Sequence, residues 1–270
     1  MKKLQTGQYY GELSKEINLQ GLGLSEYDYL SERTDWHYHE NPYFMFLLKG
    51  KVMDVNSSRS IPCESGTLLF QNWQDPHYNA KYSELARGFH LEIDKDWLQA
   101  QEIKIQLESG NNDIKDPIIV ELFVRMHREI QEDDPITNEA IQDLIWQLLN
   151  RLSSYNHRVE TRKPKWIDLV EQMVEELDAD QLTLERVSSE IGLHPAYFCR
   201  EFPRHFQASF GNYVRKTKLK RTLPLMGAEQ YSLAQIAIQC GFADQSHLTR
   251  CFKKYYGITP MRYRTLLQKL

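Results

Sequence analysis

No run of apolar residues in this sequence approaches the roughly 18 that a membrane-crossing helix requires, so no membrane partner is expected. Cysteine is scarce. The four present, Cys63, Cys199, Cys240 and Cys251, show neither CxxC spacing nor a clustered zinc pattern, and are read as reduced, structural thiols. Met1-Lys2-Lys3 is followed by Gln5-Thr6-Gly7-Gln8, without the apolar core of a secretory signal, which makes the cytoplasm the default location. No cofactor motif is present, and overall positive charge is missing too: the net charge is -4. Taken whole, that charge argues against a nucleic-acid partner.

The charge is not spread evenly. Residues 1–160 hold 16 Lys and Arg against 26 Asp and Glu, a net -10, whereas residues 161–270 hold 17 against 11, a net +6. Such asymmetry suits a polyanion-binding module joined to something else. At 270 residues, with 41% hydrophobic and 26% charged positions, the chain accommodates two globular domains, each with its own core.

From Gly21 to about Ile93 the sequence reads in short apolar and aromatic runs, such as Tyr43 to Leu48 and Thr67 to Phe70. They are punctuated by Lys49-Gly50, Pro62, Ser65-Gly66 and Asp75-Pro76, the pattern of strands and turns. Beyond Pro117 the period changes: Ile119, Leu122, Phe123, Met126 and Ile130 predict one helix over 118–130, and Ile141, Leu144, Ile145, Leu148 and Leu152 a second over 139–152. The polar stretch Tyr155 to Lys165, with Pro164, predicts an exposed linker. The expected domains are therefore 1–160 and 161–270, an α+β chain whose second part is all helical.

Within the second part lies an internal repeat. Thr183-Leu-x-x-Val-Ser-x-x-x-Gly-Leu193 aligns with Ser232-Leu-x-x-Ile-Ala-x-x-x-Gly-Phe242, and Phe198, Arg200 and Phe202 align with Leu248, Arg250 and Phe252. Thr183 and Ser232 are suited to cap a helix N-terminus, with Gln235 completing a capping box. Gly192 and Gly241 permit the left-handed residue that ends it. A second helix then starts near His194-Pro195 or Asp244-Gln245. This is the pattern of a helix-turn-helix, predicted at about 182–206 and 231–255. Two helical hairpins that merely pack together would also use such glycines, but the repeat, the local positive charge and the polar faces of both second helices favour DNA. Between the copies, Phe210 to Met226 has the spacing of a long connecting helix.

At this point residues 166–266 resemble the AraC/XylS family of transcription regulators. The resemblance is carried most strongly by Ile236-Ala237, Gly241-Phe242, Asp244-Gln245-Ser246, Leu248, Arg250, Phe252-Lys253-Lys254, Gly257-Ile258-Thr259-Pro260 and Tyr263-Arg264. Pro203, late in the first reading helix, and Pro224, within the connecting helix, depart from it. An interior proline costs about 3 kcal/mol, so either helix is expected to end early or kink, which puts the first unit's base contacts in question. The face shared by Gln245, Ser246, Thr249 and Arg250 is the candidate base reader, with His194, Ala196, Tyr197 and Arg200 in the first unit. Arg250 and Arg200, at matching places, could instead share a structural or phosphate-clamping job. Lys218, Lys220, Arg221, Lys253, Lys254 and Arg262 are candidate phosphate contacts. Phe198, Phe202 and Phe206 are read as core.

His37-Tyr38-His39 ahead of a strand, then Lys49-Gly50, Gly66 and Pro76-His77, look like a cupin β-barrel, the sensor fold of many AraC-type regulators. His37, His39 and His77 could converge on a divalent ion. However, Tyr43 and Phe44 stand where metal-binding cupins usually add a glutamate, so the expectation is a pocket without metal. Trp36, His37, His39, Tyr43, Trp73, His77 and Tyr82 are candidates to line it for a small-molecule effector, with Tyr78 nearby. The seam Ile141, Ile145, Leu148 and Leu152 is expected to support a homodimer, the alternative being that the helices of 118–130 and 139–152 only cover the sheet.

The resemblance implies a sequence-specific DNA-binding regulator, not an enzyme, more an activator than a repressor and then a partner of RNA polymerase. Its DNA arrangement would shift when an effector binds the barrel. The alternatives are a metal-dependent cupin enzyme with an appended helical domain and a constitutive DNA-binding dimer without effector.

Overall fold

The apolar run Tyr43 to Leu48 forms a strand with no solvent face, and the first half of the fold is what covers it. In the computed structural model, which describes residues 1–102, 112–160, 164–228 and 230–268, ten strands come first. They are β1 (Lys2–Leu4), β2 (Glu12–Leu19), β3 (Leu22–Asp28), β4 (His37–His39), β5 (Tyr43–Lys49), β6 (Lys51–Asn56), β7 (Ser60–Glu64), β8 (Leu68–Gln71), β9 (His77–Lys81) and β10 (Arg87–Ile93). Helix α1 (Lys95–Ala100), the short β11 (Asn112–Asp113) and helices α2 (Pro117–Glu132) and α3 (Thr137–Glu160) follow. Two sheets result, in the orders β1-β4-β9-β6-β7 and β11-β8-β5-β10-β3-β2.

Because side chains alternate along a strand, β5 serves both sides. Tyr43, Met45 and Leu47 meet Val52 of β6 and Cys63 of β7 in a core between the sheets. Phe44 and Phe46 point the other way, to Phe123 of α2, with ring centroids 5.4 and 6.1 Å apart. Buried charge then fixes α2. Glu26 on β3 accepts from Gln131 Nε2 at 2.7 Å, pairs with Arg87 at 3.2 Å and meets His127 Nε2 at 3.1 Å. Asp116 caps α2 through the Ile118 amide and accepts from Arg151 Nε of α3 at 2.8 Å.

Two expectations for α3 change. Ile141, Ile145, Leu148 and Leu152 are 0–3% exposed, so the seam assigned to a second subunit is already covered within the chain. The helix also runs on to Glu160, through much of the expected exposed linker, since no glycine or proline interrupts it before Pro164; residues 161–163 lie outside the described residues. The chain divides into two units, Met1–Ser154 with Arg264–Leu270, and Tyr155–Tyr263.

The second unit contains α4 (Lys165–Glu176), α5 (Leu184–Glu190), α6 (Pro195–Phe206), α7 (Phe210–Gly227), α8 (Leu233–Gln239), α9 (Gln245–Tyr256) and the start of α10 (Pro260–Gln268). The sequence repeat becomes a repeat of hydrogen bonds. Thr183 caps α5 by accepting from the Arg186 amide at 3.2 Å, and Ser232 forms a reciprocal capping box with Gln235 on α8. At the other ends, the Leu193 amide donates to the Ser188 carbonyl and the Phe242 amide to the Ala237 carbonyl, each five residues back, around left-handed Gly192 and Gly241. Each turn delivers the chain into a second helix, α6 or α9.

Of the two outcomes expected at Pro203 and Pro224, early termination does not occur: α6 continues to Phe206 and α7 to Gly227. Flanking apolar burial offsets the lost hydrogen bonds, through Phe202 and Phe206 in α6 and Leu223 and Met226 in α7, all 0–1% exposed. Phe202 and Phe206 stack with centroids 4.2 Å apart. Cys63, Cys240 and Cys251 are buried as expected of structural thiols, whereas Cys199 on α6 is exposed.

The two turn glycines separate backbone strain from packing. At Gly192, φ is +67° and an added Cβ meets nothing within 4 Å, whereas at Gly241, φ is +75° and a Cβ would sit 3.0 Å from Ala179 Cβ and 3.3 Å from Lys218 Nζ. Gly192→Ala is expected to cost about 1–2 kcal/mol, the left-handed penalty alone, and Gly241→Ala measurably more. Equal costs in urea denaturation would refute the close approach at Gly241.

Candidate functional site

Burial on α6 and α9 leaves a polar face on each. In α9, Leu248, Cys251, Phe252 and Tyr256 are buried, while Gln245, Ser246 and Arg250 are exposed and Thr249 is half-buried. In α6, Phe198, Phe202 and Phe206 face the core, and Ala196, Tyr197 and Arg200 face out. His194 is exposed but has a local job as the cap of α6, its Nδ1 accepting from the Ala196 amide at 3.2 Å. Arg200 lies 5.2 Å from the Tyr197 ring and donates to Glu201 at 3.2 Å. Glu201 also receives Arg204, and Arg200 engages it through Nε alone, which leaves its Nη donors for another acceptor.

The cations divide into two groups. Lys253 and Lys254 are exposed in the last turn of α9, and Arg262 is exposed in the first turn of α10; Lys220 is half-buried. Lys218 and Arg221, expected as phosphate contacts, are instead used inside the unit. Lys218 Nζ donates to the Gly241 carbonyl at 2.8 Å, and Arg221 donates to the Val174 and Leu177 carbonyls, both at 2.7 Å. These carbonyls lie at helix ends, where no intrahelical donor remains and the helix dipole favours a cation. Desolvation holds the pKa of both below ordinary values.

In the first unit, strand pairing assembles the histidines. His37 and His39 share a face of β4, and β4 pairs with β9 at His37 and His77. The ring centroids of His37 and His77 are 4.3 Å apart, and the ligand atoms of all three lie within 4.8 Å of one another. His37 and His77 meet the carbonyls of Asp35 and Asp75 through Nδ1 at 2.8 and 3.1 Å. A carbonyl only accepts, so the proton sits on Nδ1 and Nε2 is bare. Such imidazoles are a donor set that a divalent ion accepts, although His77 Nε2 already meets the Tyr43 hydroxyl at 3.1 Å. Burial drives the pKa values of His37 and His77 down to about 4, with the neighbouring His77 adding to the effect on His37. His90 falls to about 3 by burial, and His39 lies well below its usual range by burial and its histidine neighbours. All four are neutral at pH 7.

These groups border a cavity with about 40 Å³ of water-sized space, lined by His37, His39 and Tyr43 among others. His77, also expected in the lining, is not part of it and meets the cavity's Tyr43 through Nε2. Trp36, Trp73 and Tyr82, expected to line the pocket, do not: they are 40, 42 and 68% exposed. Trp36 packs against Tyr78, and Trp73 lies beneath Lys95. The sequence reading missed Tyr9, Tyr29, Asp54 and His90 in the lining. Tyr9 belongs to a segment before the first recognised strand and stacks on His90 at 4.0 Å. Asp54 carried a usable signal: two residues after buried Val52, it is an acid at an inward strand position.

A fold with a β-sheet unit followed by two turn-linked helix pairs, each presenting a polar helix face, defines the helix-turn-helix class of DNA-binding protein. Residues 187–265 match a family model described as a helix-turn-helix domain. The chain is 31% identical over 86 residues to Regulatory protein PocR of Salmonella typhimurium, a match covering 32% of this chain and 28% of PocR. It thus spans less than a third of that relative's length. Over 231 residues it is 21% identical to the HTH-type transcriptional regulator YijO of Escherichia coli, covering 83% of this chain and 81% of YijO. Among solved structures, ToxT from Vibrio cholerae aligns at 12% identity over 93% of this chain and 100% of its own, with a TM-score of 0.38. The C-terminal unit is an AraC-type helix-turn-helix domain, and the relatives of this chain are AraC-family regulators.

The buried titrating groups set a pH dependence. His37, His77 and His90 ordinarily titrate at 6.5, so below that value the unfolded chain takes up protons that the folded chain refuses. Their contribution is full above pH 6.5 and is lost as pH falls towards 4. Asp54 works the other way: its carboxyl rises by burial from 3.8 to about 7, keeping one extra proton in the folded state. His39, also held well below its usual range, adds to the same side as the other histidines, so on balance the unfolded chain takes up more protons and unfolding free energy should fall as pH drops from about 6 to 5. Urea denaturation at stepped pH checks this, and a flat profile would refute the neutral cluster.

Proposed function

We propose that the protein is a sequence-specific transcription regulator that reads DNA with α6 and α9 and responds to a small molecule in the cavity of its β unit. The observation that carries this reading is the duplicated cap, glycine turn and outward polar helix, which gives two readers of one design. Helix α7 supplies the spacer: its 18 residues span about 27 Å at 1.5 Å per residue, near the roughly 34 Å between successive major grooves. Gln245, Ser246, Thr249 and Arg250 form the base-reading set of the second unit, and His194, Ala196, Tyr197 and Arg200 that of the first. Lys220, Lys253, Lys254 and Arg262 contact phosphates.

The protein acts in the cytoplasm as a homodimer and as an activator that engages RNA polymerase. Among the described residues no helix is long and apolar enough to cross a membrane. With the α3 seam covered, pairing between subunits falls to another face, and α3 leaves Trp146 43% exposed.

Selection from random duplexes across a series of salt concentrations tests the reading, with a two-part motif expected, its halves about one helical turn apart. Arg250→Ala should relax preference at one position by about 1–3 kcal/mol, whereas Lys253→Ala should weaken all sequences alike and lower the salt slope by about 1. A failure to enrich any motif, with or without candidate effectors, would refute the assignment. Metal analysis of the same protein separates it from a metal-dependent enzyme, because Tyr43 already occupies His77 Nε2 and no stoichiometric ion is expected.

A further inference from the structure

The cavity of the β unit contains a buried acceptor that, among the described residues, no group answers. Asp54 on β6 is 1% exposed. Its Oδ2 accepts from Gln71 Nε2 at 3.0 Å and Asn79 Nδ2 at 2.7 Å, but Oδ1 has no partner, and neither does Oε1 of Gln71. A bare acceptor in a low-dielectric interior is strongly unfavourable, and more so when charged. Asp54, which lines the cavity, therefore calls at Oδ1 for a group that donates.

Charge points the same way. Of the described residues lining the cavity, only Lys81 is cationic, and its Nζ donates to the Leu30 and Glu84 carbonyls on the exposed side. The histidines are neutral, and Glu92 beneath Tyr9 is a second buried acid. Burial has pushed the Asp54 carboxyl up to about 7, a position that an adjacent cation would reverse. The lining also includes the aromatic rings of Tyr9, Tyr29 and Tyr43 beside apolar Met45 and Val52. Aromatic faces attract ammonium groups, most strongly away from water.

We propose that the cavity binds a small organic ammonium ion, a primary amine in its charged form, whose N–H groups donate to Asp54 Oδ1 and whose carbon body rests against Tyr29, Tyr43, Met45 and Val52. The proposal depends on the cavity being the effector site and names the chemical class that site takes. An anion would be repelled by Asp54, and a neutral alcohol leaves the carboxylate without a counter-charge. About 40 Å³ of water-sized space restricts the unexpanded cavity to a body of a few carbons.

The test uses the full-length protein with n-propylamine, its isostere n-propanol, and propionate, at one pH and ionic strength, read by calorimetric titration and by thermal shift. Only the amine is expected to bind and to raise the melting temperature. Asp54→Asn should weaken the amine by about thirtyfold or more, the loss typical when a buried charge partner is removed. If that variant does not fold, Val52→Phe, which fills the cavity and removes no polar group, should abolish amine binding. Binding of propanol or propionate in place of the amine would overturn the ammonium assignment but leave the effector reading standing. No response to any probe, an equal response to all three as expected for an internal water on Asp54, or amine binding that survives either variant would overturn it as well. Effector control itself is judged separately, by whether any cavity ligand changes DNA binding.

Discussion

Strand β5 lies between β8 and β10 in the larger sheet and is buried on both faces, and most of the first unit depends on its register. Its odd-numbered residues build the wall between the sheets and its even-numbered residues build the seat of α2. A slip of one residue would exchange those sets, moving Tyr43 away from His77 and Phe44 away from Phe123. The partner register on β10 brings His90 opposite Met45, and that on β8 brings Gln71 opposite Tyr43. The cavity is thus a product of pairing in a hydrophobic sheet: its polar members are delivered by strands whose alignment is fixed by apolar neighbours.

Charge is handled differently in the two units. The first buries charge in compact groups that are satisfied from several sides, as Glu26 is by Arg87, His127 and Gln131, and as Asp116 is by Arg151 and the start of α2. Such pairs contribute geometry more than net stability, because desolvation offsets much of the attraction. In the second unit, Lys218 and Arg221 are drawn to carbonyls at helix ends. The excess positive charge counted along the sequence therefore overstates what α7 presents outward.

What the sequence made legible was local. The caps Thr183 and Ser232, the turn glycines and the helical periods each depend on residues within one turn of one another, and the repeat allowed one copy to be read against the other. The strands between Gly21 and Ile93 and the α+β class were legible for the same reason. What was not legible depends on what lies across space. The spacing of Phe198, Phe202 and Phe206 marks them as core without saying that their burial carries a helix through Pro203. The spacing of Ile141, Ile145, Leu148 and Leu152 says that one face is apolar without saying what covers it. Trp36, Trp73 and Tyr82 flank the right strands but stand on the outside of them. Asp54 was passed over because an acid in a strand is ordinarily solvent-facing, although Val52 two residues before it marks the inward face of β6.

The exposed cysteine gives the fold an experimental handle. Cys63, Cys240 and Cys251 are buried, and burial pushes the thiols of all three up, that of Cys240 to about 11, so they react slowly with alkylating reagents. Cys199 stands exposed on α6, between Tyr197 and Arg200. A maleimide fluorophore or nitroxide would therefore attach to the unaltered protein at one position, on the first reading helix. Its emission or line shape would report when that helix enters a groove, so the two readers can be timed independently without introducing a reactive site by mutation.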